Sequence, residues 1–378
     1  MHGHHCAAKG LPETLPDMNE RRHANRMRAR HEYAVGATNL KARPRFLIVE
    51  LTRKCNLSCE MCRPASYNRS AESMSDKVFE QVATELMPFA DIVDLRGWGE
   101  SLILPEFEDR LTRTLATGAQ VRIVTNLSFQ RPAVIDSLAA AGAYVGVSID
   151  SADASALNAL RRGARLDLIE TNLTRLSAAL ARHGHDDKLC IYVTCQAPNL
   201  GQLAEIIDLA ARNGVRDVRF APVTVAPNSP LALPDDRFTL QAAFAEVSAR
   251  AARLGVNASV TASPFNRAEG KLGGSACLHP WTHCYVTVDG RAGFCDHLIG
   301  PEGDPYIMGD LNVMSFDEIW NGPAWMALRE THVNTRDPKA PHFEECAWCY
   351  RNRYLDSEDL LEPAMQTERV DVTEIPWQ

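Results

Sequence analysis

Short apolar runs alternate along the chain with longer segments whose apolar positions recur at helical spacing. "RFLIVELT" (45–52) is apolar enough for a strand covered on both faces. "SDKVFEQVATELM" follows with a helical pattern and Ser75 placed as its N-cap. "DIVDLR" reads as the next strand, and "PEFEDRLTRTLATG" as a helix opened by Pro105 and closed by Gly118. "QVRIVT" and "RPAVIDSLAAAG", then "YVGVSI" and helical material to about Gly184, repeat the alternation. "LCIYVTC", the helix "LGQLAEIIDLAARNG" and the strand "VRDVRFAPV" complete it. Strands alternating with helices in this way predict an α/β fold with a parallel sheet. A closed barrel needs eight units. Six are read here, so the expectation is a partial (β/α)6 barrel over 45–225, with active residues at the C-terminal strand ends.

The flanks differ. Residues 1–44 form an N-terminal extension whose basic, proline-free "ERRHANRMRARH" reads as a solvated helix or as a docking patch for an acidic electron donor. Residues 226–270 read as a linker holding one helix (about 237–254). Residues 271–355 form a small α+β unit dense in Trp and Cys, and 356–378 a tail. The net charge of −8 gives no general case for a nucleic-acid partner. No apolar run approaches the ~18 residues of a membrane span, and "MHGHHCAAKG" lacks the apolar core of a signal peptide. A cytoplasmic protein is expected, with no membrane partner. In that compartment eleven cysteines point to metal binding or chemistry rather than disulfides.

Cys55, Cys59 and Cys62 follow the first strand as Cys-x3-Cys-x2-Cys, at the rim where a barrel does its work. Three thiolates can hold three irons of a 4Fe–4S cube and leave the fourth open; cubes are ordinarily closed by four cysteines. A structural zinc site wants four ligands, and a redox dithiol needs two. After the second strand comes "RGWGES", with Gly97, Gly99 and Glu100. Thr125 and Asn126 end the third strand, and Ser148 and Asp150 the fourth.

This set resembles the radical S-adenosylmethionine superfamily over roughly residues 45–225. The resemblance implies that Cys55, Cys59 and Cys62 bind a 4Fe–4S cluster. Its open iron would chelate S-adenosylmethionine, and reduction would release a 5′-deoxyadenosyl radical. "GWGE" resembles the family's Gly-Gly-Glu segment with Trp98 inserted, and Met61 stands where an aromatic residue is common. By the same resemblance Gly97 and Gly99 admit the cosubstrate, Glu100 takes its ammonium, and Thr125 and Asn126 share the rim. Ser148 faces the cosubstrate, and Arg162 pairs with its carboxylate; Arg161 is an equal candidate by spacing.

A second set begins at Cys277. "CYVTV", Asp289-Gly290 and "RAGFC" read as a β-hairpin that carries Cys295 back toward Cys277. Cys346 and Cys349 follow as Cys-x2-Cys. Four thiolates suit either a closed cluster or zinc. The segment is similar to the twitch and SPASM domains that follow such barrels. With no cysteine after Cys349, the resemblance implies one auxiliary 4Fe–4S cluster and the shorter twitch form.

Cys190 reads as a buried hydrophobe. Cys195, of opposite strand parity, would be a hydrogen-atom donor if it faced the lumen; Cys284 is a weaker candidate. Radical S-adenosylmethionine dehydrogenases with one auxiliary cluster have a similar ligand spacing. The main expectation is therefore dehydrogenation or epimerisation of a sugar or aminocyclitol in natural-product biosynthesis. Asp150 would take the proton, and a flavodoxin- or ferredoxin-type protein would be the reductant. The alternatives are a maturase of a ribosomally made peptide, disfavoured by only 44 residues before the barrel, and a non-catalytic Fe–S sensor or scaffold.

Overall fold

The computed structural model describes residues 15–62, 72–226, 228–260, 277–295, 304–337, 339–344, 346–347, 350, 370–373 and 375. Cys6 and Cys349 lie outside the described residues.

The six expected strands are β1 (Phe46–Val49), β2 (Ile92–Asp94), β3 (Gln120–Thr125), β4 (Tyr144–Ser148), β5 (Leu189–Cys195) and β6 (Asp217–Pro222). They pair in sequence order, all parallel. The intervening helices include α2 (Asp76–Glu85), capped by Ser75, whose side chain accepts from Val78 N as the sequence suggested. α3 (Phe107–Ala116) is followed by Gly118 in the left-handed region.

The segment expected as a linker extends the sheet. After the helix Arg237–Leu254, β7 (Asn257–Val260) pairs parallel to β6. β8 (His283–Val286) pairs parallel to β1 on the opposite edge, then turns through Gly290 (φ 89°) into antiparallel β9 (Arg291–Gly293). This is the hairpin read from Asp289-Gly290. β10 (Ile307–Asp310) and β11 (Val370–Asp371) are the outermost strands of one continuous sheet. The cysteine-rich segment is thus hydrogen-bonded directly to the barrel's first strand.

The two sheet faces differ in chemistry. Leu47, Val93, Ile123, Val145, Ile191 and Phe220 belong to the apolar layer packed with the helices. The alternate positions carry polar groups. Asp94 sits in register with Arg122, and Tyr192 with Ser148 on one side and Arg219 on the other. Arg122 reaches Asp94 at 2.7 Å and the Tyr192 hydroxyl at 2.9 Å, and its guanidinium lies 5.9 Å from the Phe46 ring. Side chains from β1, β3 and β5 meet only if the sheet curls, and this is the inside of a partial barrel. Gly146 permits the closure: a side chain there would collide with the Tyr192 ring.

α1 (Leu15–Ala34) is not simply a solvated extension. Arg22 donates to Thr117 O (2.8 Å), Asn25 to Arg43 O and Phe89 O, and buried Glu32 accepts from Lys41 N and Ala42 N. Its basic residues His23, Arg28, Arg30 and His31 remain exposed. The loop after α1 is tied to the cysteine-rich segment by Trp281 Nε1 on Ala37 O and Trp320 Nε1 on Ala42 O.

Candidate active site

Cys55, Cys59 and Cys62 lie on one loop directly after β1, each half-buried. The loop is held from three sides. Glu100 N donates to Lys54 O (2.8 Å), Asn56 Nδ2 to Ser128 O (2.7 Å), and Ser58 N to Arg162 O (2.9 Å). Gly99 stands so close to Thr52 O and Lys54 O that no side chain would fit, and Gly97 is equally tight against Glu50. Both glycines therefore first serve to seat the second rim loop against the cysteine loop.

Sulfur chemistry at the loop suits a cluster. The Cys55 Sγ lies 3.4 Å from Leu57 N and 3.8 Å from Asn126 Nδ2, both donors of the kind that tune cluster sulfurs. Burial pushes the Cys55 thiol up to about 12, and Glu100, Cys59 and Cys62 add to the rise. Among the described residues, no three His, Cys, Asp or Glu side chains gather tightly around one point. The fit of a cluster rests on this donor set: three thiols, N–H donors aimed at sulfur, and a neighbouring cation.

That cation is Arg161, not Arg162. Arg161 Nε donates to Asp150 Oδ2 at 2.7 Å. Burial works against its charge, yet Asp150 and then the Cys59 thiol keep its pKa raised. Arg162 is exposed and offers its backbone carbonyl to Ser58. Both arginines lie just beyond the helix Ala154–Leu160: Arg161 caps it at φ −114° and ψ 73° and meets Asp150, while Arg162 stays exposed.

Asp150 is fully buried, and its other oxygen accepts from Thr194 N at 2.8 Å. It is a braced partner of Arg161 rather than an open base for a substrate proton. Glu100 is likewise committed. Its oxygens accept from Thr125 Oγ1 (2.9 Å), Asn126 N (2.7 Å) and Leu102 N (3.2 Å). Burial raises its pKa to about 7 against those bonds. The carboxylate expected on the cosubstrate ammonium therefore holds the β3 rim, fixing Thr125 and Asn126 beside Cys55. Leu127 pays the local strain with a positive φ of 54°. Ser148 is half-buried at the end of β4.

Cys195 lies on the wrong face for a hydrogen-atom donor. It belongs to the apolar layer with Ile191 and Val193, fully buried, and burial raises its pKa well above the ordinary value. The inward positions of β5 are Cys190, Tyr192 and Thr194. The signal was present in the strands: Asp94, Arg122, Tyr192 and Arg219 mark the inward parity with polar groups inside otherwise apolar runs. Cys284 is also in the apolar layer.

Sequence reading passed over Glu50. At the end of β1, fully buried, it accepts from Trp98 N (3.1 Å) and Val288 N (3.0 Å). It joins the Gly-rich rim loop to the β8–β9 hairpin, and a charged residue closing an apolar strand is the sequence signal for it. In the second cysteine set, Cys277 is half-buried, and Cys295 and Cys346 are buried.

Residues 49–186 match a model described as the radical SAM superfamily, and residues 277–350 match SPASM, described as an iron-sulfur cluster-binding domain. The mycofactocin maturase MftC of Mycobacterium ulcerans (strain Agy99) is 27% identical over 318 residues, 80% of this chain and 82% of its own. An AdoMet-dependent heme synthase of Methanosarcina barkeri (strain Fusaro / DSM 804) is 25% identical over 346 residues, 84% of this chain and 95% of its own. The fold is similar to that of Streptococcus suis SuiB. Bound to S-adenosylmethionine, SuiB gives a TM-score of 0.60 at 15% identity, covering 79% of this chain and 71% of that one. Bound to the precursor peptide SuiA, it gives 0.60 at 14% identity, covering 87% and 75%.

Proposed function

We propose that this chain, an enzyme of the radical SAM superfamily with a SPASM iron–sulfur domain, is a maturase acting on a peptide. The observation that carries the maturase reading is the likeness to a mycofactocin maturase along four-fifths of both chains, and the peptide is suggested by the fold shared with SuiB, which binds a precursor peptide. This displaces the sugar or aminocyclitol oxidation expected from ligand spacing, which a radical hydrogen abstraction alone does not require. A second reading, chemistry of the kind used in haem synthesis, has support from the longer but less identical match.

The radical SAM and SPASM domains bring a 4Fe–4S cluster that works with S-adenosylmethionine and an auxiliary cluster. Cys55, Cys59 and Cys62 would hold the first; Cys277, Cys295, Cys346 and Cys349 would hold the second, as a single auxiliary cluster. When bound and reduced, the first cluster would supply the electron for cleaving the sulfonium of S-adenosylmethionine. Asn126 donates toward the Cys55 sulfur. Arg161 sets a buried positive charge beside Cys59, and Asp150 fixes where it points. Glu100 locks the β3 rim so that Asn126 stays in place. The Arg122–Tyr192–Arg219 layer crosses the inside of the barrel below the rim and limits how deep a substrate reaches. A flavodoxin- or ferredoxin-type one-electron donor belongs to the same proposal.

The test is anaerobic turnover with S-adenosylmethionine and a reductant, offering short peptides encoded beside the gene, an aminocyclitol and a porphyrin precursor in parallel. The expected result is 5′-deoxyadenosine formed in step with a mass change in one peptide. Coupling to the aminocyclitol or the porphyrin precursor, with every peptide unchanged, would contradict the peptide reading.

A further inference from the structure

Next to Cys277 lies a buried polar pair that the proposed chemistry does not use. His332 sits in a short π-helical segment, Thr331–Thr335, and is fully buried. Its Nδ1 is 2.8 Å from the Tyr350 hydroxyl. The same hydroxyl oxygen accepts a hydrogen bond from Cys277 N at 2.5 Å.

The Tyr350 hydroxyl stands at the centre of this chain. A backbone N–H only donates, and a hydroxyl has one proton to give. With Cys277 N donating to it, the Tyr350 hydroxyl shares a second hydrogen bond with His332 Nδ1, whose direction follows the imidazole tautomer. Either neutral tautomer of His332 closes the same link to the Tyr350 hydroxyl. Burial, with Arg336 adding, holds His332 neutral with a pKa lowered to about 3.

The surroundings keep the pair rigid. The His332 ring is set edge-on between Phe343 (4.8 Å) and Trp281 (6.4 Å), and the Arg336 guanidinium lies 4.9 Å over the Tyr350 ring. Arg336 closes the π-helical segment in the left-handed region at φ 47°, its N donating to Thr331 O at 2.7 Å. π-helical turns and strained residues persist where the packing around them requires that geometry, and they concentrate at functional sites.

Tyr350 immediately follows Cys349 and comes four residues after Cys346, whereas Cys277 opens the domain. The hydroxyl therefore ties the first cysteine of the set to the segment carrying the last two. We propose that His332 and Tyr350 are positioning residues of the auxiliary cluster: His332 orients the Tyr350 hydroxyl, which holds the Cys277 backbone against the Cys346 segment. This rests on the SPASM domain's cluster and not on the peptide substrate.

The test uses full-length protein with Cys55, Cys59 and Cys62 all replaced by Ala, so that iron reports the auxiliary site alone. Tyr350→Phe, His332→Phe and the double variant keep the aromatic packing and remove the hydrogen bonds. Each is reconstituted anaerobically and read by iron content, electron paramagnetic resonance and redox titration. Both single variants are expected to lose iron or shift the cluster's midpoint potential in the same direction, with the double variant no worse than either. Unchanged iron and potential in Tyr350→Phe would overturn the proposal, as would strictly additive effects, which mark two independent packing residues. If Tyr350→Phe fails to fold by circular dichroism, His332→Phe decides alone on the same readouts. A parent protein that binds no iron would overturn the auxiliary cluster itself, and the clamp with it, while leaving the first cluster untouched.

Discussion

Arg161 and Arg162 are neighbours with opposite expected costs. Arg161→Ala strands the buried Asp150 carboxylate beside one backbone donor. A loss of about 3–5 kcal/mol follows from breaking a buried pair on one side. Arg162→Ala, at an exposed position, should stay within about 0.5 kcal/mol; anaerobic denaturant titration of the two variants checks this. Cys195→Ala should cost about 1 kcal/mol as a lost buried hydrophobe and leave 5′-deoxyadenosine formation unchanged; a stalled reaction would restore the donor role. Glu100 carries a pH signature. Its folded pKa is about 7 against an ordinary 4.5, with burial as the main cause. The unfolded chain therefore gives up this proton first as pH rises. Glu100's contribution is complete below about pH 4.5 and is lost as pH climbs through 7, by about 3 kcal/mol at 1.36 kcal/mol per unit. The stability difference between wild type and Glu100→Gln should shift by that amount over the same window; a pH-independent difference would contradict it. Residue roles were the least legible level in the sequence. Cys55, Cys59 and Cys62 announced themselves by spacing, and Arg161 stood beside Arg162 as an equal candidate, but the partners of Glu50 and the His332–Tyr350 pair come together only in the fold.

At the scale of elements, the strand–helix alternation was readable through β6 because each of those strands is a largely apolar run bounded by helix signals. β7 was not: Asn257 and Ser259 alternate with Ala258 and Val260 in a run too short to stand out. The inward parity of the strands was also written in the sequence, through the charged residues at 94, 122 and 219, and reading it would have placed Cys195 with the helices. The rim loops make a sharper prediction. Gly99 abuts the backbone of Thr52–Lys54, which cannot yield without moving the cysteine loop. Gly99→Ala should therefore lose the first cluster's iron, about four of about eight per chain, while retaining the auxiliary iron. Metal analysis of the reconstituted variant checks it, and full iron content would show that the loop tolerates the displacement.

Among the described residues the strands form one continuous sheet. β8, from the SPASM segment, pairs with β1, from the barrel, and Glu50 bridges the hairpin to the Gly-rich loop. α1 and its following loop bind both parts, so residues 15–44 belong to the folded body. From the sequence the two parts read as separate units joined by a linker, because strand partners across the chain leave no local trace. The central claim is that the cysteine loop after β1 holds the cluster at which S-adenosylmethionine is cleaved. It is tested most directly by 5′-deoxyadenosine formation under anaerobic reducing conditions, comparing wild type with Cys55→Ala. The account predicts formation by wild type and none by Cys55→Ala, with the variant keeping about four irons in its auxiliary cluster; unchanged 5′-deoxyadenosine formation by Cys55→Ala would contradict it.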